Sequence, residues 1–374
     1  MDYDRIFNLL GGLFGNVFVF FNLNFNFVWY YFYVLGSKMS ELRQNIVYKE
    51  WVIIAKERAK RPHDFIDNSP KLISDKEYDE NCPFCPGNED KFPNTEVWRF
   101  DDEKGNWLVR SILNKYPALS PDVEYKWQEE GIFRTISGYG VHEVLIETPI
   151  HNVHPAVMKI EDVAKIVYSY KQRVIEILKM NDIEYVVVFR NHGYKAGASL
   201  VHPHSQILAL PIIPRDVKLR VDEAFKYFSD HGICVFCKML DDELRIGKRI
   251  IYESDHFVSF VLFAASSPFH SWILPKRHSS RFTDITDEEI DDLAKHVKVV
   301  LAKLYKGISN PDYNYIVRTS PFSYGKNKFF HWYITIVPRL TRSAGFELGS
   351  GMFINPSIPE EDAKFLRNVD ISDL

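Results

Sequence analysis

The four cysteines of this 374-residue chain fall in two Cys-x-x-Cys pairs, Cys82/Cys85 and Cys234/Cys237. Two thiolates at that spacing turn toward one point and can share one tetrahedral ion. The candidate imidazole partners are His151 and His202 for the first pair, and His278 and His331 for the second. Soft sulfur with imidazole, filling all four positions, suits structural zinc. These eight residues predict two Cys2His2 zinc sites, with a redox dithiol as the competing use of either pair. Cysteines confined to such pairs in a long chain also favour a reducing, cytoplasmic setting over a disulfide-stapled secreted one.

The segment Val201-His202-Pro203-His204-Ser205-Gln206 carries a second kind of chemistry. Side chains two apart on a strand face the same way, so His202, His204 and Gln206 are expected on one face. If His202 is held by metal, His204 stands beside it with a free ring nitrogen. A neutral imidazole is a competent nucleophile toward phosphorus. Gln206 can donate its amide to a phosphoryl oxygen. The preceding loop, with Gly197 and Ser199, offers backbone N–H groups and a hydroxyl to phosphates.

The elements that must position these groups follow from hydrophobic pattern. Strands are predicted over 47–55, 107–113, 141–147, 185–189 and 207–210. A helix is predicted over 161–179, where Val163, Ile166, Val167, Tyr170, Val174, Ile177 and Leu178 recur at three- and four-residue steps. The same order returns later. Strands are predicted over 257–262 and 271–274, a helix opens on the capping box Thr286-x-x-Glu289, and strands over 313–318 and 333–337 flank His331. His151 and His202 are 51 residues apart, His278 and His331 53 apart, with a long helix between the members of each pair. One α+β unit is used twice.

Together these residues resemble a known signature. Asn191-His192-Gly193-Tyr194-Lys195-Ala196-Gly197-Ala198-Ser199-Leu200-Val201-His202-Pro203-His204-Ser205-Gln206 resembles the active-site segment of the galactose-1-phosphate uridylyltransferases, within the histidine-triad superfamily. Val52-Ile53-Ile54-Ala55, Arg58-Ala59-Lys60-Arg61-Pro62, Cys82-Pro83-Phe84-Cys85, Asn114-Lys115-Tyr116-Pro117-Ala118-Leu119 and Gly345-Phe346-Glu347 extend the resemblance from about Leu42 to Pro356. It implies an α+β fold of two tandem histidine-triad-like units, antiparallel sheets with packed helices, in halves 39–212 and 213–374. It also implies a ping-pong reaction. The histidine matching His204 takes a uridylyl group from UDP-glucose, and galactose-1-phosphate then removes it. Its ring is oriented by a backbone carbonyl, and Gln206 contacts the phosphoryl group. Asn191, Gly197 and Ser199 would line the phosphate site, Asn114 and Arg61 would sit near the nucleotide, and Glu347 would touch the hexose. A homodimer sharing residues across subunits is implied as well. Ser205 departs from the family, where many members have glycine. The second Cys-x-x-Cys, with Gly345–Gly351 and Ile354-Asn355-Pro356, is similar to a plant-type ADP-glucose phosphorylase, which moves AMP onto phosphate through the same histidine intermediate. Donor and acceptor therefore stay open between the two, with a nucleotidyl hydrolase, in which water takes the second step, as a further alternative.

A formal charge of −4 argues against a general nucleic-acid binder, leaving a nucleotide-sugar and a sugar-1-phosphate as the expected partners. Residues 1–38 stand apart: no charged side chain lies between Arg5 and Lys38, and Val17–Leu35 is rich in Phe, Tyr, Val and Asn. Its length would suit a membrane anchor. A cleaved targeting segment is a second reading, and a mis-assigned start with Met39 as the true one is a third. Asparagines 8, 16, 22, 24 and 26 weigh against insertion, because amides are costly in hydrocarbon. The expectation is therefore the third reading, with no membrane partner.

Overall fold

The computed structural model describes residues 39–58, 61–66, 71–91 and 95–374, so the three readings of the 1–38 segment fall outside the described residues. In chain order the strands are β1 (Glu41–Gln44), β2 (Trp51–Ile54), β3 (Glu96–Asp101), β4 (Trp107–Leu113), β5 (Trp127–Glu130), β6 (Phe133–Ile136) and β7 (Val141–Ile146). Helix α1 (Ile160–Ile177), β8 (Tyr185–His192), β9 (His204–Leu210), α2 (Arg215–His231) and α3 (Val235–Ile246) follow. Next come β10 (Ile250–Glu253), β11 (Phe257–Val261), β12 (Ser271–Pro275), α4 (Asp287–Gly307), β13 (Tyr313–Arg318) and β14 (Tyr333–Pro338). Helix α5 (Gly345–Ser350), β15 (Phe353–Asn355) and α6 (Pro359–Asn368) close the chain.

Ten strands form one sheet in the order β10-β11-β12-β14-β13-β8-β9-β7-β4-β3. Every pairing in it is antiparallel. Read outward from its middle, β8-β9-β7-β4-β3 matches β13-β14-β12-β11-β10 strand for strand, and α1 and α4 occupy equivalent places. The repeat expected from spacing is thus a repeat of topology. The halves join where β8 pairs with β13, so neither half leaves that edge open to solvent. Helices α1 and α4 pack on each other. The buried face of α1 is Val163, Ile166, Val167, Tyr170, Val174 and Ile177, the stripe read from the sequence. The capping box is formed: Glu289 N–H donates to Thr286 Oγ1 at 3.2 Å, and Thr286 N–H to Glu289 Oε2 at 2.9 Å.

Three local expectations change. The strand over 47–55 is shorter, because Asn45 builds a turn first. Its Oδ1 accepts from Val47 N–H at 2.9 Å, its carbonyl accepts from Lys49 N–H at 2.9 Å, and Lys49 takes φ 61°. His202 lies in the bend before β9, not on the strand, so it does not share the face of His204 and Gln206. Helices α2 and α3 occupy a stretch whose pattern announces neither. The buried stripe of α2 is only Val217, Val221 and Ala224 amid charged residues. Among the described residues, no helix is long and apolar enough to cross a membrane.

Candidate active site and metal centres

The first cluster assembles as read. One donor atom from each of Cys82, Cys85, His151 and His202 lies within 4.8 Å of the others, and all four residues are buried. Cys82 Sγ is 3.7 Å from His202 Nδ1, and Cys85 Sγ is 3.5 Å from His151 Nδ1 and 3.6 Å from His202 Nδ1. Those separations match the ligand–ligand edge, roughly 3.5 Å, of a tetrahedron with metal bonds of about 2.0–2.3 Å. Backbone N–H groups of Phe84 and Asp79 point at the two sulfurs, at 3.4 Å and 3.3 Å. Asn88 holds the knuckle closed by donating to the carbonyls of Cys82 and Asp79. His202 Nε2 donates to Thr148 O at 2.8 Å, which leaves Nδ1 as the lone-pair nitrogen facing the thiols. Burial pushes the Cys82 thiol up to about 12 and His202 down to about 4. A cation would supply the charge that deprotonated sulfur needs in so dry a place. This buried group is thus suited to binding a metal ion.

The second cluster is smaller. Cys234, Cys237 and His278 gather in the same way, with Cys237 Sγ 3.3 Å from His278 Nδ1. His331 stands outside this group. Its Nδ1 donates to Trp332 O at 3.0 Å, and its buried Nε2 has no partner. The ring nevertheless sits 5.3 Å from that of His278, at nearly the tilt with which His151 meets His202 at 5.4 Å.

His204 opens β9, between β7 and β8 in the middle of the sheet. Its Nδ1 donates to the carbonyl of His202 at 2.8 Å, so the lone pair is on Nε2. Burial pushes its imidazole below the ordinary value, which favours the neutral ring. Phe84 meets the rings of both His202 and His204 edge-on, at 6.0 and 5.4 Å. His204, Gln206, Asn114 and Ser199 line one cavity of about 390 Å³, with Phe84, Ile112 and Val144 as apolar walls. That is a suitable size for a nucleotide-sized ligand.

The loop from β8 to β9 is shaped by two glycines. At Gly193, φ is 83°, and a Cβ there would meet Asp312 Oδ1 at 2.1 Å. Asp312 instead accepts from Lys195 N–H at 2.7 Å. At Gly197, φ is 91°. Asn191 is tied to this loop through Asn314, whose amide donates to Asn191 Oδ1 and Ala196 O, both at 2.8 Å. Asn191 and Gly197 therefore support the loop beside the cavity and do not line it. Arg61 and Glu347 lie outside this cavity too. Arg61 caps a short turn at Pro62–Phe65, and the Glu347 carboxylate accepts from Ala344 N–H.

Sequence reasoning missed two groups. Behind His204, the buried Glu147 carboxylate accepts from Arg190, Ser205 and Tyr170, and Tyr170 also meets Tyr315 from the second half. Arg190 Nη1 is 3.5 Å from the His204 carbonyl. Ser205, in place of glycine, is part of this network. The second group is His142, whose Nε2 is 2.8 Å from Gln206 Oε1. The alternation of Val141–Glu147 was the available signal, since it puts His142 on the same face of β7 as Val144, which lines the cavity, and opposite Val141 and Leu145.

Comparison with known proteins agrees with this geometry. The profile of the galactose-1-phosphate uridyl transferase N-terminal domain matches residues 34–214, and that of the C-terminal domain matches 220–368. An ADP-glucose phosphorylase of Arabidopsis thaliana is 40% identical over 340 residues, 90% of this chain and 95% of that one. A galactose-1-phosphate uridylyltransferase of Thermotoga maritima is 31% identical over 343 residues, 89% of this chain and 99% of that one. The crystal structure of an Arabidopsis thaliana ADP-glucose phosphorylase with bound ADP-glucose superposes with a TM-score of 0.75 at 38% identity, covering 89% and 99% of the two chains. With the His204 strand, the Cys/His cluster and the doubled sheet in place, the chain belongs to the galactose-1-phosphate uridylyltransferase family of nucleotidyltransferases.

Proposed function

We propose that this protein carries a nucleoside monophosphate on His204 Nε2, taking it from ADP-glucose and passing it to inorganic phosphate. The observation that carries the chemistry is the His204 ring itself, with Nδ1 occupied by the His202 carbonyl and Nε2 left for attack. The Nε2 lone pair forms a P–N bond to the α-phosphorus, and the P–O bond to the leaving group breaks with its electron pair, releasing glucose-1-phosphate. The ring turns cationic while its Nδ1–H stays on the carbonyl, which stabilises that charge. A phosphate oxygen then attacks, the P–N bond breaks back onto Nε2, and ADP leaves. No proton need move on the histidine. The adenylate assignment rests on the 40% identical phosphorylase and on the ADP-glucose-bound relative. UDP-glucose with galactose-1-phosphate as acceptor is the second reading, favoured by the 31% identical uridylyltransferase.

Zinc suits the first cluster by its donor set, burial and spacing. Bound there, it would act structurally, tying the Cys82–Cys85 knuckle to His151 and to the bend that carries His202. The second cluster offers Cys234, Cys237 and His278, and the unpartnered Nε2 of His331 is the atom available as fourth donor. Four unpaired cysteines fit a reducing, cytoplasmic compartment. Arg61 and Glu347 lie outside the His204 cavity, and in a homodimer that shares residues across subunits they would take their nucleotide and hexose roles at the partner's site. The exposed Phe346 and Leu348 beside Glu347 suit that contact.

The test is direct. The protein is incubated with ADP-glucose or UDP-glucose labelled at the α-phosphorus, and label on protein is trapped in alkali. Acid-labile label from ADP-glucose, discharged by phosphate and absent in His204→Ala, is the expected result. Label from UDP-glucose alone, discharged by galactose-1-phosphate, selects the second reading. Label surviving in His204→Ala refutes the nucleophile.

A further inference from the structure

We infer that His142 is a positioning residue that decides which end of the Gln206 amide faces the nucleophile's cavity; this rests on the reading of that cavity as a nucleotidyl-transfer site. His142 lies on β7, across from Leu208 of β9. Its Nδ1 is 3.1 Å from the backbone N–H of Ala118. A backbone N–H only donates, so Nδ1 must carry the lone pair, and the neutral ring must carry its proton on Nε2. That Nε2–H lies 2.8 Å from Gln206 and can only donate, so the atom it meets is the amide oxygen. The flipped amide would face one donor with another. With its oxygen occupied by His142, Gln206 offers its NH2 group to the cavity it lines. That is the polarity needed to stabilise charge on a transferring phosphoryl group.

The same turn orients a second amide. Asn114 Oδ1 accepts from Tyr116 N–H at 2.9 Å, so its Nδ2 is also a donor. It sits 3.1 Å from His142 Nε2, which already carries a proton and cannot accept from it. Asn114, like Gln206, lines the cavity, with this NH2 end set by Tyr116 N–H. Two backbone N–H groups of one short segment, Tyr116 and Ala118, thus turn two amide donors toward one place. The first does so directly, the second through the His142 ring.

Three substitutions separate this role from a packing role. His142→Gln keeps a donor toward Gln206, His142→Leu removes it, and His142→Glu replaces it with an acceptor that draws the Gln206 NH2 group away. The readout is the single-turnover rate of His204 labelling by the nucleotide sugar that labels the wild-type protein. His142→Leu is expected to slow labelling by about 10- to 100-fold, somewhat below the loss of a whole oxyanion donor. His142→Glu should be slower still, and His142→Gln within a few-fold of wild type. In a Gln206→Leu background the three variants should label alike. An unchanged rate in His142→Leu, or a His142 effect that persists in the Gln206→Leu background, overturns the inference. Nitrogen-15 NMR of the His142 ring gives an independent answer: Nε2–H is expected, and an Nδ1–H tautomer overturns the inference regardless of activity. Failure of the wild-type protein to accept label from any nucleotide sugar sinks the proposed function instead, and the tautomer then decides His142.

Discussion

Removal of the Glu147 carboxylate should nearly unfold this protein. Glu147 and Arg190 form an ion pair with side chains 0% and 3% exposed. A buried pair broken from one side leaves an uncompensated charge, at a cost of about 3–5 kcal/mol. Ser205 and Tyr170 also lose their carboxylate acceptor. Their hydroxyls lie 2.6 Å apart and can satisfy each other in part, so about 1–3 kcal/mol more is lost for one unpaired group. Glu147→Ala should therefore lose about 4–8 kcal/mol, against a total of about 5–15 kcal/mol for a typical folded protein. Glu147→Gln keeps an acceptor for the hydroxyls and should lose only the charge component. Glu147→Gln with Arg190→Met removes both charges and should regain at least about 2 kcal/mol over Glu147→Gln alone. Urea midpoints of the four proteins, with yield of folded protein as a second readout, measure the series. Glu147→Ala losing less than about 1 kcal/mol, or a double variant no more stable than Glu147→Gln, would refute the stranded-charge account.

Cys82→Ser should lower bound zinc by one equivalent per chain, measured by metal analysis of purified protein, and an unchanged content would remove Cys82 from the site. Thr286→Ala deletes the hydroxyl that caps α4 and should cost about 1 kcal/mol in a thermal or urea melt. Asp362 is buried, and burial raises its carboxyl to about 7 despite hydrogen bonds from Ser357 and Phe269. A folded-state value above the unfolded one means that its contribution is complete below about pH 4 and is lost as pH rises through about 7. That contribution amounts to about 4 kcal/mol at most. Wild-type stability should fall across that window, and Asp362→Asn should flatten the fall; parallel pH profiles of the two melting temperatures would contradict this.

Much of the site was legible because its signals are local. The Cys-x-x-Cys knuckle and the His-Pro-His segment are patterns of residues only a few positions apart. Helix α1 declared its buried face through the 3.6-residue period, and α4 declared its first turn through Thr286 and Glu289. Doubling these signals at 51 and 53 residues separated His202, with its counterpart His331, from His204, which has none. Helix α2 stayed hidden because so few of its residues are buried that the apolar stripe is thin.

By itself, then, the sequence offered the Cys/His donor candidates, the candidate nucleophile and the repeated unit. Only the tertiary structure decided how the donors meet and which way polar groups point. It brought Glu147 to Arg190 across 43 residues and Gln206 to His142 across 64, and it excluded His331 from the second cluster as it stands. It left Arg61 and Glu347 outside the cavity, although their motifs match as well as those of Asn114 and Ser199. The physical reason is that periodicity records whether a side chain is buried, whereas tautomer, amide orientation and ion pairing depend on single through-space contacts. At His142 a backbone N–H from another strand's turn sets the ring proton, and that proton sets the amide beside His204.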